Sequence, residues 1–131
     1  MARPSRCRSR RASELLRFWR ATINTRNGLA FAIRSEQAIR EELVALALAL
    51  PAAWLVGVTN MRRVELIAVV VMVLVVELLN TAIEKLADRL TTDHDPKIGQ
   101  VKDMGSAAVG VALVMAGLFW LFAIAERMGA V

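Results

Sequence analysis

Four polar side chains that could form a catalytic or metal-binding site lie on one face of a predicted helix. They follow a mostly apolar run at residues 64–76 and are Glu77, Asn80, Glu84 and Asp88. Spacings of three, four and four residues place them on the same face, with Glu77 and Glu84 roughly 10 Å apart along the axis. Because an ionisable group deep in an apolar helix is costly, these acids predict a functional site.

Two more clusters of charged side chains stand beside the ends of predicted helices. One precedes the first apolar run and the other precedes the third: Glu36, Arg40 and Glu42, then Lys102 and Asp103. Converging carboxylates suit a hard divalent cation such as Mg²⁺, which takes oxygen ligands and keeps some of its waters. Lysine and arginine suit phosphate oxygens. Glu77, which lies deepest in its apolar helix, is placed to act as a base towards a lipid hydroxyl.

The charged residues by themselves leave three interpretations open. Besides metal-assisted chemistry on a phosphate, they are compatible with an acid-lined pathway for ions or protons, or with a polar face that only holds helices together. Glu36 and Arg40 can also form an ordinary i,i+4 pair at a solvated helix start. The sequence contains no Walker A motif, no Gly-rich kinase loop and no Ser/His/Asp arrangement, so the spacing alone does not select a kinase.

The elements that must carry these side chains are long apolar helices. Of the 131 residues, 56% are hydrophobic, which is high for a small soluble domain. Three apolar runs are near the length that spans a bilayer, the first being short. We therefore predict an all-α membrane protein, rather than a soluble bundle, with three transmembrane helices at about residues 29–58, 62–90 and 101–127.

The N-terminal region is predicted to lie on the membrane surface. Residues 1–11 carry five arginines and are predicted to be a disordered tail that is drawn to anionic lipid headgroups rather than to nucleic acid. Residues 12–27 have the composition of an amphipathic interfacial helix, which Asn27 and Gly28 are expected to break or bend. We interpret residues 12–131 as a single membrane domain.

Small residues along the third predicted span indicate close packing against another helix. They include two pairs with a spacing of four residues and are Ser106, Gly110, Ala112, Ala116 and Gly117,. Near the far end of the same span, Trp120 is either an interfacial anchor or a residue that faces a lipid ligand.

The distribution of basic residues predicts the orientation in the membrane. Ten lysines and arginines precede residue 43, and four more lie at residues 85–102, between the second and third spans. The other two segments hold only Arg62, Arg63 and Arg127. Because basic residues accumulate on the cytoplasmic side, the N-terminus and the acidic end of the second span are predicted to face the cytoplasm.

Two long motifs resemble the prokaryotic integral-membrane diacylglycerol kinase family. They read VELLNTAIE at residues 76–84, followed by Asp88 and Arg89, and KDMGSAAV at residues 102–109. A third match is formed by Glu36, Ala38, Arg40 and Glu42. The resemblance extends over roughly residues 12–125, and it is specific because two long motifs occur in the right order, each at a predicted cytoplasmic helix end.

The resemblance implies a homotrimeric bundle of three-span subunits, each with a surface helix, whose active sites are shared between neighbouring subunits at the membrane interface. It implies Mg²⁺-dependent transfer of the γ-phosphoryl group of ATP to the primary hydroxyl of diacylglycerol, giving phosphatidic acid at the bacterial cytoplasmic membrane. A sister group phosphorylates undecaprenol on the same scaffold, but MGSA at residues 104–107 is closer to the diacylglycerol branch.

The resemblance also implies roles for individual residues. Glu77 is implied as the general base, Asn80 as a residue that supports the site, and Glu36 and Glu84 as ligands of the metal with ATP. The nucleotide is expected to contact Arg17, Glu36, Glu84, Asp93, Asp95, Lys102 and Asp103. The lipid substrate is expected to lie along Ala38, Arg40, Glu42, Glu77, Ser106 and Trp120.

Overall fold

A computed structural model describes the backbone of residues 6–90 and 95–130, and the side chains of residue 14 and of residues 16–90 and 95–130. The regular structure of these residues is entirely helical. The four helices are α1, Arg6–Ser35; α2, Gln37–Val56; α3, Asn60–Leu90; and α4, Pro96–Arg127. The predicted all-α class is therefore confirmed for the described part of the chain.

The chain divides into two compact units, Met1–Glu36 and Gln37–Val131. In the first unit, α1 begins at Arg6 and so includes part of the segment that was predicted to be a tail. The break that was predicted at Asn27 and Gly28 is absent, because α1 continues to Ser35. A glycine inside a helix costs only about 1 kcal/mol relative to alanine, which the helix formers around it offset.

The second unit is built around α3, which packs against both α2 and α4. One core cluster joins α3 to α4 through Val69, Val73, Ala112 and Ala116. A second cluster joins all three helices through Ala53, Leu66 and Ala123. The small side chains of α2 and α4 let the backbones of these helices come close to α3, whose larger aliphatic side chains fill the space between them,.

The small-residue face predicted on α4 is only partly correct. Its packed face consists of Gly105, Ala112, Ala116 and Ala123, which are buried. The other predicted members, Ser106, Gly110 and Gly117, are exposed in this chain. Successive residues lie 100° apart around a helix, so only part of a set spread from 106 to 117 can face α3 at once.

Two helices are long and apolar enough to cross a membrane, Asn60–Leu90 and Pro96–Arg127, in the described part of the chain. Only 33% of the apolar window of α3 and 17% of that of α4 are buried inside the chain. A core helix of a soluble protein buries most of such a window, because exposed apolar surface of this extent is unfavourable in water. The exposed surface therefore fits lipid or further protein chains.

Asp95 forms the N-cap of α4, and the helix therefore begins at Pro96 rather than at residue 101. The Asp95 backbone is extended, and its Oδ1 accepts a hydrogen bond from the Lys97 backbone N–H at 2.8 Å. Pro96 occupies the first turn, where its missing N–H is not needed. The family resemblance implies only a nucleotide contact for Asp95, so its role as an N-cap is a finding of the structure.

We expect Asp95→Ala to lower the free energy of unfolding by about 1 kcal/mol, the usual cost of losing an N-cap side chain. Asp95→Asn is the matched control, because asparagine also caps helices. Thermal unfolding of both variants in detergent, followed by the helical circular dichroism signal, measures the difference. Equal stability of the alanine and asparagine variants would show that the cap does not hold the start of α4.

At the opposite end of the unit, Arg62 joins the start of α3 to the end of α4. Its Nε lies 2.8 Å from Glu126 Oε2, and another guanidinium nitrogen lies 2.7 Å from Glu65 Oε2. The guanidinium also lies 5.1 Å from the ring centroid of Phe122. From the sequence, Arg62 bears only on the predicted membrane orientation, whereas in the structure it links two helices.

Replacement of Arg62 by glutamine is expected to lower the Tm in detergent. The change leaves the carboxylates of Glu65 and Glu126 near each other without the cation that neutralises both. The exposed Arg127 at the end of α4 gives a matched control, Arg127→Gln, which should unfold at the wild-type Tm. If the two variants unfold at the same temperature, the Arg62 link does not stabilise the α3–α4 pair.

Candidate active site

The polar face of α3 is partly buried against α4. Asn80 and Thr81 are both 8% exposed and are the buried polar residues of the described chain. The Nδ2 of Asn80 donates a hydrogen bond to Glu84 Oε1 at 3.2 Å. The two residues are four positions apart, so the predicted shared face is confirmed for this pair.

Gly105 of α4 lies directly against the Asn80 side chain. A Cβ added at residue 105 would collide with Asn80 Oδ1, so a larger residue there requires that the Asn80 amide moves or that α4 shifts away from α3. The Oδ1 atom is buried and accepts no hydrogen bond from the described protein atoms. A buried acceptor without a partner is uncommon in proteins and is frequent at functional sites. The interface between α3 and α4 is thus shaped around the Asn80 amide.

Lys102 of α4 projects towards the acidic end of α3. Its Nζ lies 3.0 Å from Asp88 Oδ1, and it is also attracted by the charge of Glu84. Glu84 and Asp88 are one turn apart on α3, so the ammonium group lies beside two carboxylates of the same helical face. The structure therefore brings two of the three predicted charged clusters into one place.

Glu42 of α2 faces the same helix from the other side. Its carboxylate and that of Glu77 are close enough to repel each other. Glu42 is half-buried, and its Oε2 atom is buried without a hydrogen-bond partner among the described residues. Glu77 is also half-buried. Ionised carboxylates are hydrogen-bond acceptors only, so this part of the chain offers acceptors from two neighbouring helices.

The donor set of this site fits a magnesium ion that arrives with a nucleotide. No three Asp, Glu, His or Cys side chains converge in the part of the chain whose side chains are described. Mg²⁺ that arrives with a nucleotide needs only one or two carboxylates besides phosphate oxygens and water. Glu84 uses Oε1 towards Asn80 and, as a carboxylate, has further lone pairs for a cation.

The remaining predicted site residues lie in several places. Asp93 lies outside the described residues. Arg17 and Glu36 belong to the first unit, where Arg17 lines a shallow groove with Glu14 and Phe18; their approach to the acids of α3 stays a prediction. The predicted site residues Ala38, Arg40, Asp95, Asp103 and Ser106 of the second unit are exposed. Trp120 is half-buried and packs against both core clusters.

Two residues of this site received no role from the sequence alone, Asp88 and Gly105. Asp88 was recognised on the acidic face but was not assigned a function. Gly105 was recognised only as a residue of the motif at 102–109 and was given no role of its own. An acid four residues after Glu84 was a usable signal for Asp88, whereas the contact of Gly105 with Asn80 depends on how α4 lies across α3.

Comparison with known proteins identifies the family of this chain. The family model of prokaryotic diacylglycerol kinase matches residues 24–124, which is more than half of the chain. The chain belongs to this family. The matched range contains α2, α3 and most of α4 and includes Glu36, Glu77, Glu84 and Lys102, whereas Arg17 lies outside it.

Individual members of the family are also similar. The diacylglycerol kinase of Escherichia coli (strain K12) is 40% identical over 102 residues, which cover 78% of this chain and 84% of that protein. The diacylglycerol kinase of Pseudomonas aeruginosa is 39% identical over 106 residues, 81% of this chain and 86% of that protein. The diacylglycerol kinase of Haemophilus influenzae is 36% identical over 93 residues, which cover 71% of this chain and 79% of that protein. The protein is therefore a membrane kinase of the diacylglycerol kinase family.

Proposed function

We propose that this kinase transfers the γ-phosphoryl group of ATP to the primary hydroxyl of diacylglycerol, giving phosphatidic acid and ADP. The observation that carries the proposal is the meeting of Asn80, Glu84 and Lys102 where α3 and α4 pack together. Phosphoryl transfer requires mainly that the reacting groups are positioned and that phosphate charge is neutralised. The lysine can neutralise phosphate charge, and the hydrogen-bonded carboxylate is held in a fixed orientation.

The nucleotide is proposed to bind at the end of α3 and the start of α4. The ammonium of Lys102 is placed to bind phosphate oxygens, and Arg17, Asp93, Asp95 and Asp103 are proposed as further contacts. Glu36 and Glu84 would hold Mg²⁺ with the nucleotide, where the ion neutralises charge on the phosphates. Asn80 supports this arrangement because its amide fixes the orientation of the Glu84 carboxylate.

The lipid hydroxyl is proposed to enter beside Glu42 and Glu77. Glu77 accepts the proton of the lipid hydroxyl while the hydroxyl oxygen forms a bond to the γ-phosphorus of ATP. The bond between the γ-phosphorus and the bridging oxygen of ADP breaks in the same step. Glu42, whose carboxylate interacts electrostatically with that of Glu77, is proposed to orient the glycerol headgroup. Ala38, Arg40, Ser106 and Trp120 are proposed to line the path of the lipid.

The proposed setting is the bacterial inner membrane, with the N-terminus and the site on the cytoplasmic side. The distribution of basic residues supports this orientation,. We propose that α2 also spans the membrane, in addition to α3 and α4. We further propose that the protein is a homotrimer whose active sites are shared between subunits. The exposed apolar surfaces of α3 and α4 support additional packing partners in the membrane. Chemical crosslinking in detergent would test the trimer, with a three-subunit product expected.

The proposal is tested by incubating the purified full-length protein with MgATP labelled in the γ-phosphate and a short-chain diacylglycerol in mixed micelles. Labelled phosphatidic acid is expected, and a parallel reaction with undecaprenol should give much less product. Preferential labelling of undecaprenol would assign the protein to the other substrate. Product from neither lipid, with the protein folded by circular dichroism, would contradict the kinase proposal.

A further inference from the structure

The mechanism above uses Lys102 but assigns no role to Asp88, with which Lys102 forms an ion pair. The atoms Lys102 Nζ and Asp88 Oδ1 lie 3.0 Å apart, and the side chains are 39% and 65% exposed. Both groups are therefore open to an incoming solute. Asp88 lies four residues after Glu84 on α3, whereas Lys102 comes from α4, so the pair joins the two helices at the proposed nucleotide site.

The position of the pair restricts where the lysine can point. A lysine side chain has a flexible four-carbon stem and an ammonium group that behaves as a point charge, so without a partner it samples many orientations. Here the ammonium group is held by Asp88 and attracted by Glu84. The ion pair therefore favours those orientations of the lysine that keep its ammonium group on the side of α3 that carries Asp88 and Glu84.

We propose that Asp88 is a positioning residue that holds the Lys102 ammonium ready for the nucleotide phosphates. This inference rests on the proposed function. The ammonium group has three N–H donors, so it can keep one hydrogen bond to Asp88 while it donates others to phosphate oxygens. Holding a binding group in place before the ligand arrives improves affinity, because less conformational freedom is lost on binding.

The first test is the Asp88→Asn variant, which has nearly the same shape but no charge. We expect the KM for MgATP to rise roughly two- to fivefold, the range that an exposed ion pair supports, while kcat and the KM for diacylglycerol stay at wild-type values. Asp88→Glu keeps the charge and should restore part of the affinity. Glu65→Gln is the matched control, because it also removes one carboxylate from an ion pair, about 35 Å away along α3,.

A double-mutant cycle shows whether Asp88 acts through Lys102. The affinity for a fluorescent MgATP analogue is measured by equilibrium binding to the wild type, Asp88→Asn, Lys102→Met and the double variant, so that no turnover is needed. If Asp88 positions the lysine, Asp88→Asn weakens binding in the wild-type background and has no effect in the Lys102→Met background. An equal weakening in both backgrounds would overturn the inference.

The outcomes also separate this inference from the proposed function. If the wild type forms phosphatidic acid but Asp88→Asn leaves the KM for MgATP and the analogue affinity unchanged, the positioning role is wrong and the kinase proposal stands. A variant with lower Tm and lower kcat at unchanged KM would show a structural role only and would also overturn the inference. Asp88→Ser serves as a second uncharged variant if Asp88→Asn unfolds. A wild type without activity on either lipid contradicts the proposed function itself.

Discussion

Replacing Glu77 by glutamine is expected to lower kcat for diacylglycerol phosphorylation by about 10²- to 10⁴-fold, the contribution typical of a positioned general base. Glutamine has nearly the shape of glutamate but cannot accept the proton of the lipid hydroxyl. Glu77 is half-buried on α3, three residues before Asn80 and close to the Glu42 carboxylate. The measurement is the initial rate of phosphatidic acid formation at saturating MgATP.

Two controls make this result specific. Glu65→Gln changes the same residue type on the same helix near its other end and should retain wild-type kcat. The Glu77→Gln protein should bind the fluorescent MgATP analogue with wild-type affinity, because Glu77 is placed on the lipid side of the site. Turnover near the wild-type rate would remove Glu77 from the role of base, and lost nucleotide binding would place it with Glu84 instead.

Gly105→Ala is expected to lower kcat/KM by about a hundredfold, although it adds only one methyl group. The new Cβ would collide with Asn80 Oδ1. Asn80 is buried between the helices, so either its amide moves or α4 shifts away from α3. In both cases the hydrogen bond from Asn80 to Glu84 is disturbed, and misplacing a reacting group by about 1 Å can cost about that factor.

Gly117→Ala is the matched control, because that glycine lies on the same helix and a Cβ there meets nothing within 4 Å in the chain. Kinetics of both variants should be measured together with circular dichroism, so that loss of helix is distinguished from loss of catalysis. A rise in the Mg²⁺ concentration required by Gly105→Ala would indicate that Glu84 has lost its orientation. Wild-type kinetics for Gly105→Ala would show that the close contact with Asn80 is not needed.

The sequence by itself was sufficient for the helical class, the apolar spans of α3 and α4, the acidic face of α3 and the family. These features depend on which residues follow one another at distances of three, four and seven positions, and a helix converts such spacing directly into a shared face. The Asn80–Glu84 hydrogen bond is of this kind, since both residues lie on one helix. The motifs at residues 76–84 and 102–109 likewise need no knowledge of how the helices pack.

Only the tertiary structure decided how the helices meet. The pair Lys102–Asp88, the contact of Gly105 with Asn80 and the link from Arg62 to Glu126 all join different helices. Such contacts depend on the rotation of each helix about its axis and on its offset along its neighbour, and many combinations satisfy the same apolar pattern. For the same reason the sequence identified Ala112 and Ala116 as packing residues but also assigned Gly117 to that face, which the observed rotation of α4 leaves exposed.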